Sequence, residues 1–283
     1  MTNRLPTLFL GHGSPMTVLT DGPERRAWQL LGQRLPRPQA ILVISAHWET
    51  KGKIHLTGGL APRTIHDFAG FPQELHEIAY PAPGSPALVQ RIIDLLGADR
   101  AVADESWGFD HGAWGVVLPM YPAAEIPLVE MSLDRSLPPA EHLAIAARLA
   151  PLRDEGVLII GSGNVVHNLR LWRQLAGTVP AWARAFQDRI NRAVSAADSA
   201  ALTAFAADDE AASAAINSGE HYLPLLYPFG ARLPGDGTAV LFGRDDMGAM
   251  TDLKLETVSR EVSALVRAEV IRPLDKVGRL YEV

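Results

Sequence analysis

The run Ala40-Ile41-Leu42-Val43-Ile44-Ser45 constrains this chain more than any other feature. It carries no charge and has no polar face to turn toward water, so it reads as a strand buried on both sides. Sheets of that kind are mostly parallel and have helices over both faces. Leu8-Phe9-Leu10 and Val157-Leu158-Ile159-Ile160 repeat the pattern. Val116-Val117-Leu118, Ile126 to Met131 and Ala239 to Phe242 are further strand candidates. Helical segments fall between them. Asp21-Gly22-Pro23 opens one through Leu31, with Pro in the first turn. Ser85-Pro86 caps another through Leu96, and a third runs from Pro139 to Leu152. Ala181 to Ala197 is amphipathic, with Trp182, Phe186 and Ile190 recurring four apart as a core face. Asp198 to Ile216 reads as one or two short helices, and Thr257 to Val270 as a terminal one. The expected fold class is α/β: a single domain over 1–283, with a central mostly parallel sheet flanked by helices.

Composition narrows the function. A chain of 283 residues suits one large α/β domain. Its net charge of −6 and lack of a basic cluster argue against nucleic acid as a partner. There is no cysteine, which excludes disulfides, thiolate metal ligands and cysteine nucleophiles. Met1 to Pro6 lacks the apolar core of a signal peptide. No apolar run approaches the roughly 20 residues needed to span a bilayer. A cytoplasmic protein without a membrane partner is the expectation; the oligomeric state is not legible.

Histidines in short turns carry the chemistry. They are Gly11-His12-Gly13-Ser14-Pro15, Ser45-Ala46-His47-Trp48-Glu49, Asp110-His111-Gly112, Gly163-Asn164-Val165-Val166-His167-Asn168 and Glu220-His221-Tyr222. His12 and His47 follow strands, and His167 follows a third. Open α/β sheets bind ligands in the crevice outside the carboxyl ends of their strands, so a metal site is expected there. His55, His76 and His142 read instead as surface or satisfied core residues, with His142 in the solvated first turn of a helix. Spacing alone leaves His111, His167 and His221 undecided. An imidazole-rich site suits Zn, Fe, Cu or Ni, whereas Ca and Mg want more oxygen ligands. Two His with a carboxylate suggest non-haem Fe(II), and three His with water suggest zinc. Glu49 and Glu220 are the nearest carboxylates. The long stretch from Pro62 to Gly84, rich in Pro and Gly, is the kind of loop that serves a site.

These histidine turns belong to a set of ordered blocks. The others are His66-Asp67-Phe68 through Gly70-Phe71-Pro72, Tyr80-Pro81-Ala82-Pro83-Gly84, and Leu223-Pro224-Leu225 after His221. Over about Leu8 to Phe242 the chain resembles the class III extradiol ring-cleavage dioxygenases, in the branch named for DOPA 4,5-dioxygenase; the tail 244–283 does not match. The resemblance implies a mononuclear metal centre held by His12, His47 and His221, with Glu220 the competitor for the third place. It implies His167 as acid/base, or as a fourth ligand with zinc bound, and His111 directed at substrate or dioxygen. Ser14, His66 and Phe71 would meet the substrate. The implied activity opens the ring of a catechol, DOPA-like or smaller, with O2. Fe(II) would support turnover, and Zn(II) would be a resting occupant. A zinc-dependent hydrolase and a non-catalytic binding protein on the same scaffold are the alternatives.

Overall fold

A computed structural model describes residues 4–174, 179–206 and 208–236, with the pairs 272–273 and 281–282. One six-stranded sheet comprises β1 (Thr7–Gly11), β2 (Ala40–Thr50), β3 (Ile54–Thr57), β4 (Ala101–Asp104), β5 (Leu128–Asp134) and β6 (Val157–Gly163). The spatial order is β1-β6-β2-β5-β3-β4. The first four of these run parallel. β3 and β4 are parallel to each other, and β3 meets β5 antiparallel at Leu56 and Met131. The reversal follows from the short turn between β2 and β3, since parallel strands need a long crossover.

The helices are α1 (Pro23–Arg34), α2 (Gln73–His76), α3 (Pro86–Leu96), α4 (His111–Met120) and α5 (Pro139–Leu149). After them come α6 (Leu169–Gln174), α7 (Ala181–Ser195), α8 (Ser199–Thr203), α9 (Glu210–Ile216) and α10 (Leu226–Gly230). Leu42 and Ile44 of β2 enter one core with Ile92, Leu149 and Tyr227. Ile41 and Val43 enter the opposite core with Trp28, Trp114 and Val117. Successive residues of β2 thus serve both cores, which is why its sequence has no polar face. Phe186, Ile190, Leu202 and Ala215 form a third cluster around α7, α8 and α9. No helix among the described residues is long and apolar enough to cross a membrane.

Several expectations change. Val116-Val117-Leu118 is not a strand but the middle of α4. Val116 and Val117 are fully buried, as is Trp114, so the helix shows no amphipathic period to read. β2 continues to Thr50, past an irregularity in its pairing with β5, so His47 lies within the strand rather than beyond it. The strand expected over Ile126 to Met131 is shifted to Leu128–Asp134, and β3 and β4 were too short to register. The helix expected to end at Leu152 stops at Leu149 and continues as a 3-10 turn, Ala150–Arg153. His142 is not solvated. It is fully buried, because α5 packs against α10, and its Nδ1 lies 2.9 Å from the Tyr227 hydroxyl. The strand expected at Ala239 to Phe242 and the helix at Thr257 to Val270 lie outside the described residues.

Candidate metal centre

β1, β6 and β2 are neighbours, so the segments leaving their carboxyl ends share one crevice. His12 comes directly after β1, its N–H donating to the Gly163 carbonyl at 3.2 Å. His47 stands on the extension of β2. His167 lies on the chain leaving β6, its N–H donating to the Ala215 carbonyl at 2.8 Å. His111 opens α4 behind its N-cap, Asp110. His221 arrives from beyond α9. Its carbonyl accepts from Asn164 N–H at 2.7 Å, and a Cβ on Gly163 would collide with that same carbonyl. Glycine at 163 therefore lets the His221 segment lie directly on the end of β6.

The rings converge. His12 and His47 centroids are 4.9 Å apart, His12 and His221 5.2 Å, and His47 and His221 5.0 Å. Ligand atoms of these three lie within 4.8 Å of one another. His12 and His221 are buried and His47 is half-buried. Nε2 of His12 and Nε2 of His47 face each other at 3.2 Å. The outer nitrogen of each ring is held from behind: His12 Nδ1 lies 3.0 Å from Ser162 Oγ, His221 Nδ1 2.9 Å from Glu220 Oε1, and His47 Nδ1 3.2 Å from Asp67 Oδ2. Contacts of this kind fix the tautomer and ring orientation of a metal-binding imidazole, leaving Nε2 as the ligand atom.

Two other groups have ligand-like spacing: His47, Asp67 and His111, and His167, Glu220 and His221. Their carboxylates are already engaged. Asp67 accepts from the backbone N–H of His111 and lies against its Nδ1, both at 2.9 Å. Glu220 accepts from Ser218 Oγ at 2.8 Å and pairs with His221. His167 stacks on His221 with centroids 3.4 Å apart and planes within 10°. Its buried Nδ1 has no hydrogen-bond partner and lies 3.9 Å from Glu220 Oε1.

Electrostatics keep His12, His47 and His167 neutral. Burial, then the neighbouring imidazole of His47, holds His12 well below the usual histidine range. Burial and His111 bring His47 down to about 3, against the pull of Asp67. Burial and His221 bring His167 down to about 4. Burial would raise Asp67, but hydrogen bonds from His111 outweigh it and hold the carboxyl at about 2. Glu220 likewise sits at about 2, because hydrogen bonds from His221 and Ser218 outweigh its burial. Only a neutral imidazole ligates, so these shifts ready the crevice for a cation.

Other expected residues lie around the rim. Phe68 packs edge-on against His111 at 5.6 Å, and Phe71 against Phe68 at 5.4 Å. His66 donates through Nε2 to the Ile78 carbonyl at 2.9 Å and stands 5.9 Å from Trp114, bracing the long loop. Ser14 is exposed and caps a 3-10 turn, accepting from Met16 N–H at 3.3 Å. Glu49 is exposed and lies 3.7 Å from Arg135, outside every ligand group among the described residues. Asp67, Phe68 and Ser162 escaped the sequence reading as site residues. Asp67 and Phe68 sit inside the His66 block, where their position was the available signal.

Residues 6–236 match the family model described as the catalytic LigB subunit of aromatic ring-opening dioxygenase. The chain is 46% identical over 261 residues to 4,5-DOPA dioxygenase extradiol of Escherichia coli K12, covering 90% of this chain and 95% of that protein. It is 35% identical over 252 residues to 4,5-DOPA dioxygenase extradiol of Beta vulgaris, covering 87% and 93%. A crystal structure of an uncharacterized Escherichia coli K12 protein superposes with TM-score 0.67 at 43% identity, covering 81% of this chain and 89% of that one. Family matches and convergent imidazoles agree, and the chain belongs to the LigB family of aromatic ring-opening dioxygenases.

Proposed function

We propose that the chain opens the ring of a DOPA-like catechol at a single Fe(II) held by His12, His47 and His221. The observation that carries this reading is the convergence of those three imidazoles, each held at Nδ1 by a polar neighbour, with ligand atoms within 4.8 Å of one another. The donor set fits a borderline transition metal rather than Ca or Mg. Zinc has no redox chemistry, which makes it a resting occupant and iron the working one. When bound, the iron supplies one centre at which catechol and dioxygen are held together and exchange electron density.

The protein supplies the rest. His167 is neutral at neutral pH and carries an unpartnered buried Nδ1, so it can take the proton a catechol hydroxyl must lose. Its ring stacks on His221, a position from which it would serve as a fourth ligand when zinc is bound. Asp67 holds His111 at Nδ1, leaving Nε2 for substrate or oxygen as a hydrogen-bonding group. Glu220 orients His221 rather than displacing it as ligand. Phe71 acts through Phe68 as an apolar wall for the aromatic ring, with His66 supporting the wall from behind. Ser14, two residues past His12 in the chain, would meet the polar end of the substrate.

The DOPA-like substrate is supported by the names of the two relatives; caffeate and other small catechols are the competitors. The test is oxygen consumption after anaerobic loading with Fe(II), across DOPA, caffeate and simple catechol. DOPA should give a yellow ring-opened product with one O2 consumed per product formed. Uptake with caffeate and none with DOPA would refute the substrate, and no uptake with any catechol would refute the activity.

A further inference from the structure

Two carboxyl groups lie beneath the histidines and take no part in the proposed chemistry. Asp110 and Glu130 are both fully buried, Asp110 as the N-cap of α4 and Glu130 on β5 beside β2. The Asp110 N–H donates to Glu130 Oε2 at 3.0 Å, and Trp107 Nε1–H donates to Glu130 Oε1 at 3.1 Å. Asp110 Oδ1 accepts from Ser45 Oγ at 2.7 Å and from Ala113 N–H at 3.2 Å. Asp110 Oδ2 is buried with no hydrogen-bond partner, and the Asp110 and Glu130 side chains are within hydrogen-bonding reach of each other. Among the described residues neither carboxyl is paired with a lysine or arginine. The titratable groups facing the pair are Asp67, itself anionic, and His111.

Two adjacent carboxylates buried without a cation cannot both be ionised. A single retained proton removes one charge and gives the orphaned Oδ2 its donor. We propose that Glu130 keeps its proton and donates it to Asp110 Oδ2, and that this acid–carboxylate hydrogen bond seats His47 and His111 in the crevice. The asymmetry supports Glu130 as the holder. Burial, then the charge of Asp110, pushes Glu130 well above the usual carboxylate range. Asp110 is raised by burial but drawn back by hydrogen bonds from Glu130 and Ser45.

The route to the histidines is short. Ser45 Oγ gives its proton to Asp110 and accepts from the His47 backbone N–H at 3.2 Å, which sets where β2 presents the His47 ring. Asp110 caps the helix whose first residue is His111. The fit allows no extra atom. A Cβ on Gly112 would collide with Ser45 Oγ and come within 3.1 Å of both Asp110 Oδ1 and His47 Cδ2. Glu130 is thus a positioning residue. Its effect on turnover rests on the proposed dioxygenase site; its protonation does not.

Infrared difference spectroscopy on the full chain tests the proton directly. At neutral pH the wild type minus Glu130→Gln spectrum should contain the carbonyl stretch of a protonated carboxylic acid, shifted in D2O. Glu130→Gln keeps a donor for Asp110 but loses one acceptor, so kcat should fall only about threefold. Glu130→Leu removes the donor, and kcat should fall about 10–100-fold, with Fe(II) bound less tightly as His47 loses its seating and with KM held. Absence of the carboxylic acid band overturns the proposal, as does a Gln variant as impaired as the Leu variant. The band is read without substrate, so it decides the question even if Glu130→Leu fails to fold or no catechol is turned over.

Discussion

The protein buries histidine in two very different ways. On one side of the sheet His142 is sealed between α5 and α10, with one ring nitrogen on the Tyr227 hydroxyl and the other, Nε2, without a partner. At the strand ends, His12, His47 and His221 are buried against one another, with their outer nitrogens held by Ser162, Asp67 and Glu220. Both environments keep imidazole neutral: burial brings His142 to about 4 and His47 to about 3. Burial and a depressed pKa therefore do not distinguish a site from a core. What distinguishes them is the direction of the free nitrogens. His142 is alone with its free atom, whereas three rings in the crevice point theirs at a common place.

The largest expected effect tests that convergence. His12→Ala should lose the metal and with it all measurable oxygen uptake, because Ser162 behind it offers only a hydroxyl. His167→Ala should keep its iron and lose turnover by about 10²–10⁴-fold, the range for a removed acid/base; loss of iron as complete as in His12→Ala would make it an essential ligand. Glu220→Gln should weaken iron binding by about 10–100-fold, as expected when the group orienting a ligand is changed. Isothermal titration with Fe(II) under anaerobic conditions reads that loss.

His142→Asn should leave iron content and turnover unchanged and alter only acid stability. The sign follows from a folded-state value near 4 against an ordinary 6.5. The unfolded chain binds the proton first, so the neutral, buried His142 stabilises the fold above about pH 6.5. That contribution, about 3 kcal/mol, drains away as pH falls toward 4. Wild type should therefore lose stability more steeply than His142→Asn between those limits in urea titrations. Equal slopes would show that His142 is not buried neutral.

The same contrast explains what was legible in the sequence. The sheet was readable because Ala40 to Ser45 and Val157 to Ile160 must be covered on both faces. α4 was not, since a helix buried on all sides has no stripe, and its apolar Val116-Val117-Leu118 looks like a strand. His12 and His47 announced themselves by following apolar runs. His221 did not: it depends on Gly163 letting a distant segment lie on β6, and only the ordered blocks pointed to it. His142 misled because first-turn position says nothing about which neighbour, here α10, covers it. Asp110 and Glu130 meet through the adjacency of β5 and β2 and the cap of α4, a relation that no local pattern encodes.

The most direct measurement is anaerobic Fe(II) binding to the wild type, His221→Ala and His142→Asn side by side. Three converging imidazoles predict one tightly bound Fe(II) per chain in the wild type and in His142→Asn, and loss of that binding in His221→Ala. Full retention of iron by His221→Ala would contradict the assignment of the crevice as the metal centre.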